Sequence, residues 1–136
     1  MVSHLPFKWT VRIYFEDTDS GGVVYHSNYL KFMERARTEW LRSLHLNQAD
    51  LKKRDKIMFV VANVNIDYKK AAHFNDELDI ETSVDNIGAS RIDLTQNIMK
   101  NLELYTSAKV SIACIHSETF KPQRITKLIK QQMEIL

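Results

Sequence analysis

The chain has 136 residues and a formal net charge of +2, from 19 Lys and Arg against 17 Asp and Glu. With 44% hydrophobic and 26% charged residues, it has the balance of one folded domain with its own core, which excludes disorder and a fibrous repeat. Near-neutrality excludes a dominant electrostatic attraction to nucleic acid or to an anionic bilayer, and the lone Cys114 excludes an internal disulfide and a cysteine zinc site.

No apolar run reaches transmembrane length, so no membrane insertion is expected. The first seven residues hold no apolar stretch of signal-peptide length, and Lys8 and Arg12 follow at once, which points to the cytoplasm. Without a repeat, a low-complexity stretch or a Gly/Ser linker, residues 1–136 read as a single domain.

The first segment alternates. Phe7, Trp9, Val11, Ile13 and Phe15 share one face, and Lys8, Thr10, Arg12, Tyr14 and Glu16 the other, which predicts a half-buried strand. A breaker cluster follows at Asp17-Thr18-Asp19-Ser20-Gly21-Gly22. The period then changes. Tyr29, Met33, Ala36, Trp40 and Leu44 recur at spacings of three and four, widened by Leu30, Phe32 and Leu41. This predicts a broad-striped helix over about 28–45, with Arg35 and Glu39 as an i,i+4 pair.

A charged loop is expected over 52–56, then a strand with Met58, Val60, Ala62, Val64, Ile66 and Tyr68 on one face. Three further strands are marked by Leu78 to Val84, by Ile92, Leu94 and Ile98, and by Leu104 to Cys114. Gly88 and Asn101 mark the short turns between them, so these three form an antiparallel meander. Beyond Pro122, the spacing of Ile125, Leu128, Ile129 and Met133 predicts a short helix. The order β-α-β-β-β-β-α predicts an α+β domain: a curled, mainly antiparallel five-stranded sheet wrapped round one long helix. The other sheet face, with Asp79, Glu81, Ser83, Asp93, Thr95, Asn97 and Lys109, is either solvated or a polar interface between subunits.

Chemistry concentrates at residues 14–29, where carboxylates, two glycines, His26, Tyr25 and Tyr29 lie between a strand end and a helix start. Gly21 and Gly22 permit left-handed backbone and close approach of a ligand. A helix start offers unpaired N–H groups and a positive dipole end, which polarise a carbonyl or bind an anion. With a carboxylate alongside, the set suits acyl transfer. The same string also suits a plain turn and helix cap. It does not match a calcium loop, where Gly21 and Asn28 would have to be ligands. One histidine among aspartates is thin support for a transition metal.

Residues 12–29 (Arg-Ile-Tyr-Phe-Glu-Asp-Thr-Asp-Ser-Gly-Gly-Val-Val-Tyr-His-Ser-Asn-Tyr), with Phe32-Met33-Glu34-Arg35-Ala36-Arg37-Thr38-Glu39, strongly resemble the 4-hydroxybenzoyl-CoA thioesterase class of hotdog-fold proteins. Within it they are similar to the YbgC branch, acyl-CoA thioesterases associated with the Tol–Pal system. The resemblance continues through Phe59-Val60-Val61 and Gly88-Ala89-Ser90 to Lys121-Pro122. It implies that Asp19 is the catalytic carboxylate, as nucleophile or general base, and that the backbone N–H at or near His26 polarises the thioester carbonyl. It implies that the His26 side chain orients the thioester, positions water or assists proton transfer, that Tyr25 shapes the pocket beside Gly22 and Val23, and that Asp17 ties down the loop.

The substrate implied is acyl-CoA, or an acyl carrier protein ester, entering between subunits of a dimer or tetramer. No metal or other cofactor is implied. Phosphate partners are sought among Lys69, Lys70, Arg91, Lys121 and Arg124, and Ser90 in the Gly88 turn is a candidate for pantetheine. Cys114 reads as a core thiol, and His4, His45, His73 and His116 as surface or packing residues. The alternative function is a module that binds acyl-CoA or acyl carrier protein without turnover.

Overall fold

Strand β1 (Phe7–Arg12) opens the described part of this computed structural model, which covers residues 5–134; His4 lies outside it. Phe7, Trp9 and Val11 are half-buried and pack on the core, while Lys8, Thr10 and Arg12 are exposed. The alternation does not run on to Phe15 as expected. Residues Phe15–Asp17 form a 3₁₀ turn, because the Asp17 carboxylate accepts the Tyr14 N–H at 2.8 Å and draws the chain round. Ile13 is buried, but Phe15 stands out on the surface with its ring edge-on to Phe74 at 5.7 Å.

Helix α1 (His26–Ser43) starts two residues earlier than expected. It buries Tyr29, Phe32, Met33, Ala36, Trp40 and Leu41, a 3.6-period stripe with no Gly or Pro to break it. Leu30 falls outside that stripe and is exposed. Glu39 pairs with Arg42 rather than with Arg35. The helix ends in a Schellman motif: His45 takes the left-handed position at φ 63. Leu46 N–H reaches the Leu41 carbonyl at 2.9 Å and His45 N–H the Arg42 carbonyl at 3.0 Å.

The expected charged loop is instead helical, α2 (Gln48–Asp50) passing into π-helical turns over Leu51–Asp55. Asn47 Oδ1 caps it by accepting the N–H groups of Ala49 and Asp50 at 2.9 and 3.2 Å, and Leu51 anchors it in the core. The remaining strands are β2 (Ile57–Tyr68), β3 (Glu77–Ile87), β4 (Arg91–Lys100) and β5 (Glu103–His116), followed by helix α3 (Lys127–Glu134). The sheet order is β1-β3-β4-β5-β2, with every neighbouring pair antiparallel. This is the expected hotdog, α1 lying in the curl of the sheet.

β2 departs from its expected face. Its pairing with β5 shifts between Val61 and Asn63, and such a bulge swaps the two faces of a strand. Ile57 and Phe59 therefore meet the core before the bulge, and Val64 and Ile66 after it. At the β4–β5 turn Asn101 and Leu102 both have positive φ, 49 and 68, as a tight two-residue hairpin requires. On the outer sheet face, Thr10 donates to Asp79 at 2.7 Å, Thr95 to Asp85 at 2.6 Å and Ser107 to Asn97 at 2.7 Å, so that face carries its own polar lattice. In α3, Ile129 and Met133 are buried, but Leu128 is exposed rather than packed. No helix among the described residues is long and apolar enough to cross a membrane.

Candidate active site

The loop between β1 and α1 is a miniature hairpin. Thr18 bridges Val24, Asp19 N–H donates to the Val23 carbonyl at 2.9 Å, and Gly22 N–H returns to the Asp19 carbonyl at 3.0 Å. Gly22 takes φ +81, a conformation any side chain would strain. The hairpin is sewn to the segment before β3: Val23 bridges His73, and Val24 N–H donates to the Ala72 carbonyl at 2.9 Å. Asp17 fastens the other side. Its carbonyl accepts the Tyr25 N–H at 3.2 Å and the Asn28 Nδ2 at 2.7 Å, so the loop is tied to the first turn of α1.

Gly22→Ala is expected to lower stability by about 1–2 kcal/mol. Nothing lies within 4 Å of the added Cβ, so the cost is backbone strain alone, read as a lower urea midpoint with an unchanged slope. An unchanged midpoint would show that the left-handed turn is not required.

Asp19 is held at one end. Its Oδ1 accepts Gly21 N–H at 2.8 Å and Val23 N–H at 3.4 Å. The other carboxylate oxygen has no protein partner among the described residues. A Cβ on Gly21 would stand 3.2 Å from Oδ1, so the turn leaves just enough room for this carboxylate. Asp19, Val23, Tyr25 and His26 line a common cleft of about 260 Å³, closed opposite by Tyr68, Lys69 and Lys70. Gly22, expected beside the substrate, is not among the residues that line it.

The start of α1 lines this cleft through Tyr25 and His26. Tyr25 stands at the N-cap without capping the helix, and the first turn holds no acidic residue. Asn28 N–H turns back to the Tyr25 carbonyl at 2.9 Å, and the N–H groups of His26 and Ser27 have no acceptor among the described residues. They therefore present two donors at the positive end of the helix dipole. The His26 ring is stacked by Tyr68, centroids 4.8 Å apart and planes 31° apart, with the Tyr25 ring 6.4 Å away.

Lys69 and Lys70 stand at the rim but are already paired. Lys69 Nζ is 3.0 Å from Asp67 and Lys70 Nζ 2.7 Å from Glu103. The Glu103 carboxylate, by hydrogen bond and charge, raises the Lys70 ammonium above its ordinary value. Asp76 accepts His73 N–H at 2.9 Å and pairs with Lys100 at 3.0 Å. Burial pushes this carboxyl upward, but the His73 and Lys100 bonds together outweigh it and hold it below the usual carboxylate range.

Ser90 and Arg91 do not meet this cleft within one chain. They lie at the turn into β4, a strand that separates them from the Lys100 end by roughly 30 Å. There the Ser90 carbonyl accepts Cys114 N–H at 2.8 Å, and the Arg91 side chain reaches Ser111 at 3.5 Å. Lys121 and Arg124 belong to the same far end, where Ile125 N–H meets the Ala89 carbonyl at 2.7 Å. Cys114 is buried there, and burial pushes its thiol up to about 11, as suits a packing residue. His45 and His73 are exposed, and His116 caps a turn through Nδ1, which accepts Glu118 N–H at 3.1 Å. Among the described residues, no three of His, Cys, Asp and Glu gather as a metal site would need.

Two residues at the site escape the sequence reading. Asn28 carries the tie to Asp17; its position three residues after the motif Tyr25 was the available signal. Tyr68 read as a sheet-face residue, and nothing in its sequence neighbourhood shows that it reaches His26.

The sequence model of the thioesterase-like superfamily matches residues 13–133. The chain is 43% identical over 124 residues to acyl-CoA thioesterase YbgC of Haemophilus influenzae, covering 91% of each protein. It is 40% identical over 125 residues to acyl-CoA thioester hydrolase YbgC of Escherichia coli O157:H7, covering 90% of this chain and 92% of that one. A probable thioesterase from Bartonella henselae superposes with a TM-score of 0.83 at 35% identity, over 88% of this chain and 98% of that one.

Proposed function

The chain belongs to the thioesterase-like superfamily, in its YbgC branch of acyl-CoA thioesterases, and from that we propose that it hydrolyses an acyl-CoA thioester to a free acid and CoA thiol. One observation carries the reading: a half-free carboxylate and an uncapped helix start share one cleft. The thioester carbonyl oxygen accepts a hydrogen bond from the His26 or Ser27 N–H. The helix dipole then stabilises the negative charge that develops on that oxygen. The free Asp19 oxygen acts on the carbonyl carbon in one of two ways. It attacks directly, expelling the CoA thiolate and leaving an acyl anhydride that water cleaves, or it takes a proton from a water that attacks. In both, a C–O bond replaces the C–S bond and a proton ends on the thiol. Asp19 held through Oδ1 keeps its direction in either case, which is the positioning such a step needs. The His26 ring, beside the carbonyl site, orients the thioester or the water.

This mechanism asks for no metal or cofactor. Lys69 and Lys70 are the cations nearest the cleft for the CoA phosphates, which would have to displace Asp67 and Glu103. Ser90, Arg91, Lys121 and Arg124 meet substrate in this reading only when supplied by a second copy, as in a dimer or tetramer.

Release of free thiol is the direct test, on CoA esters of graded chain length, benzoyl-type CoA esters and the matching acyl carrier protein esters. We expect turnover on at least one acyl class, with the profile defining the substrate. Binding of every ester without turnover would replace the enzyme with a binding module.

A further inference from the structure

Leaving the first N–H groups of α1 open for a carbonyl has a cost. A side-chain cap at a helix start contributes about 1 kcal/mol, and α1 lacks one. A first turn without its cap frays, and a fraying turn aims its amides poorly. The Asp17 carbonyl holds the Tyr25 N–H and the Asn28 side chain, and a further restraint on His26 itself comes from the sheet. Tyr68, the last residue of β2, lays its ring 4.8 Å from the His26 ring, and its hydroxyl donates to the His26 carbonyl at 3.4 Å. Tyr68 is itself backed by Tyr29, at 5.5 Å and 60°. Tyr29 is packed in turn: it is 2% exposed and its hydroxyl accepts the Ala72 N–H at 3.0 Å. The Ala72 carbonyl takes the Val24 N–H of the Asp19 hairpin. Beside the direct tie from the Asp17 carbonyl to Tyr25 and Asn28, a second chain of contacts thus runs from the Asp19 loop through Ala72, Tyr29 and Tyr68 to the helix start.

We propose that Tyr68 is a positioning residue that holds the carbonyl-polarising start of α1 in register with Asp19, acting through the His26 ring; this rests on the thioesterase reading above. The ring is the essential part, since the hydroxyl bond is long. Charge builds on the carbonyl oxygen only in the transition state, so loosening the helix start lowers kcat and leaves KM nearly unchanged.

The test compares Tyr68→Leu and Tyr68→Phe in the wild-type and His26→Ala backgrounds, with Tyr68→Val as a second, strand-compatible way to remove the ring. Without the ring, kcat is expected to fall about 10- to 100-fold, and Tyr68→Phe is expected to recover most of that loss. In the His26→Ala background the same ring deletion should change kcat little further, because the residue it acts through is gone. The ring-current shift on the His26 imidazole protons should persist in Tyr68→Phe and vanish in Tyr68→Leu. An equal loss in both backgrounds, or a rise in KM alone, would overturn the positioning role and make Tyr68 a packing or substrate-contact residue. Absence of turnover in the wild type would instead overturn the thioesterase reading itself.

Discussion

Asp19→Asn is expected to lower kcat for acyl-CoA hydrolysis about a thousandfold while leaving the melting temperature and acyl-CoA binding where they are. The substitution separates position from chemistry. Asn has the same shape, and its carbonyl oxygen still accepts the Gly21 and Val23 N–H groups that fix Oδ1. The hairpin therefore keeps its fold. The change falls on the second oxygen, the one without a protein partner, where an amide nitrogen neither attacks a carbonyl nor accepts a proton from water. The open amides at the start of α1 still polarise the carbonyl, so residual turnover above the uncatalysed rate is expected. Thiol release under saturating substrate, alongside equilibrium binding of the acyl-CoA, checks both halves. Turnover within tenfold of wild type would move the chemistry to another group in the cleft. Unmeasurable binding would make Asp19 a binding residue.

Periodicity carried the architecture, because burial on one side of an element imposes it. Tyr29, Met33, Ala36 and Trp40 mark α1, and the alternation of Leu78, Ile80 and Thr82 marks β3, just as their burial requires. What alternation does not show is a change of register. The bulge in β2 reverses which residues of that strand meet the core, and its cause lies in pairing with β5, remote in sequence. Phe15 misled for a related reason: its apolar character continued the β1 pattern, yet a local bond from Tyr14 N–H to Asp17 ended the strand. At the site, the motif from Asp17 to Tyr29 was legible because loop and helix start are contiguous in sequence. Its far wall was not. Tyr68 reaches His26 across 42 residues, a relation created only by folding. Ser90 and Arg91 were chosen for their chemical types, and the length of β4 sets them apart from the cleft within one chain.

The sequence pattern also passed over the residue whose loss should destabilise the fold most directly. Gln96 interrupts the apolar face of β4 between Leu94 and Ile98, and it is fully buried. Both its donors and its acceptor oxygen have partners inside. Its Nε2 donates to the Met33 carbonyl and to Thr82 Oγ1, each at 3.0 Å, and its Oε1 accepts Arg37 Nη1 at 2.9 Å. Burial pulls the Arg37 guanidinium below its ordinary value, with the nearby Glu34 charge acting in the opposite direction. This one amide thus fixes α1 against β4 at Met33 and Arg37, and with it the line along which the helix start points at the cleft. Gln96→Leu keeps the volume and removes every bond. Thr82 and Arg37 are then left buried or part-buried with their Gln96 partner gone, and the expected loss is about 3 kcal/mol, a fall in melting temperature of about 10 °C. Gln96→Glu retains the acceptor that Arg37 needs but loses the donations to Met33 and Thr82, so it is expected to destabilise as well. Adding Arg37→Met to Gln96→Leu should restore part of the loss, since removing both partners of a buried bond is cheaper than orphaning one. Calorimetry on the three variants decides it: a Gln96→Leu protein within 1 kcal/mol of wild type would mean that packing alone, and not this buried amide, seats the helix on the sheet.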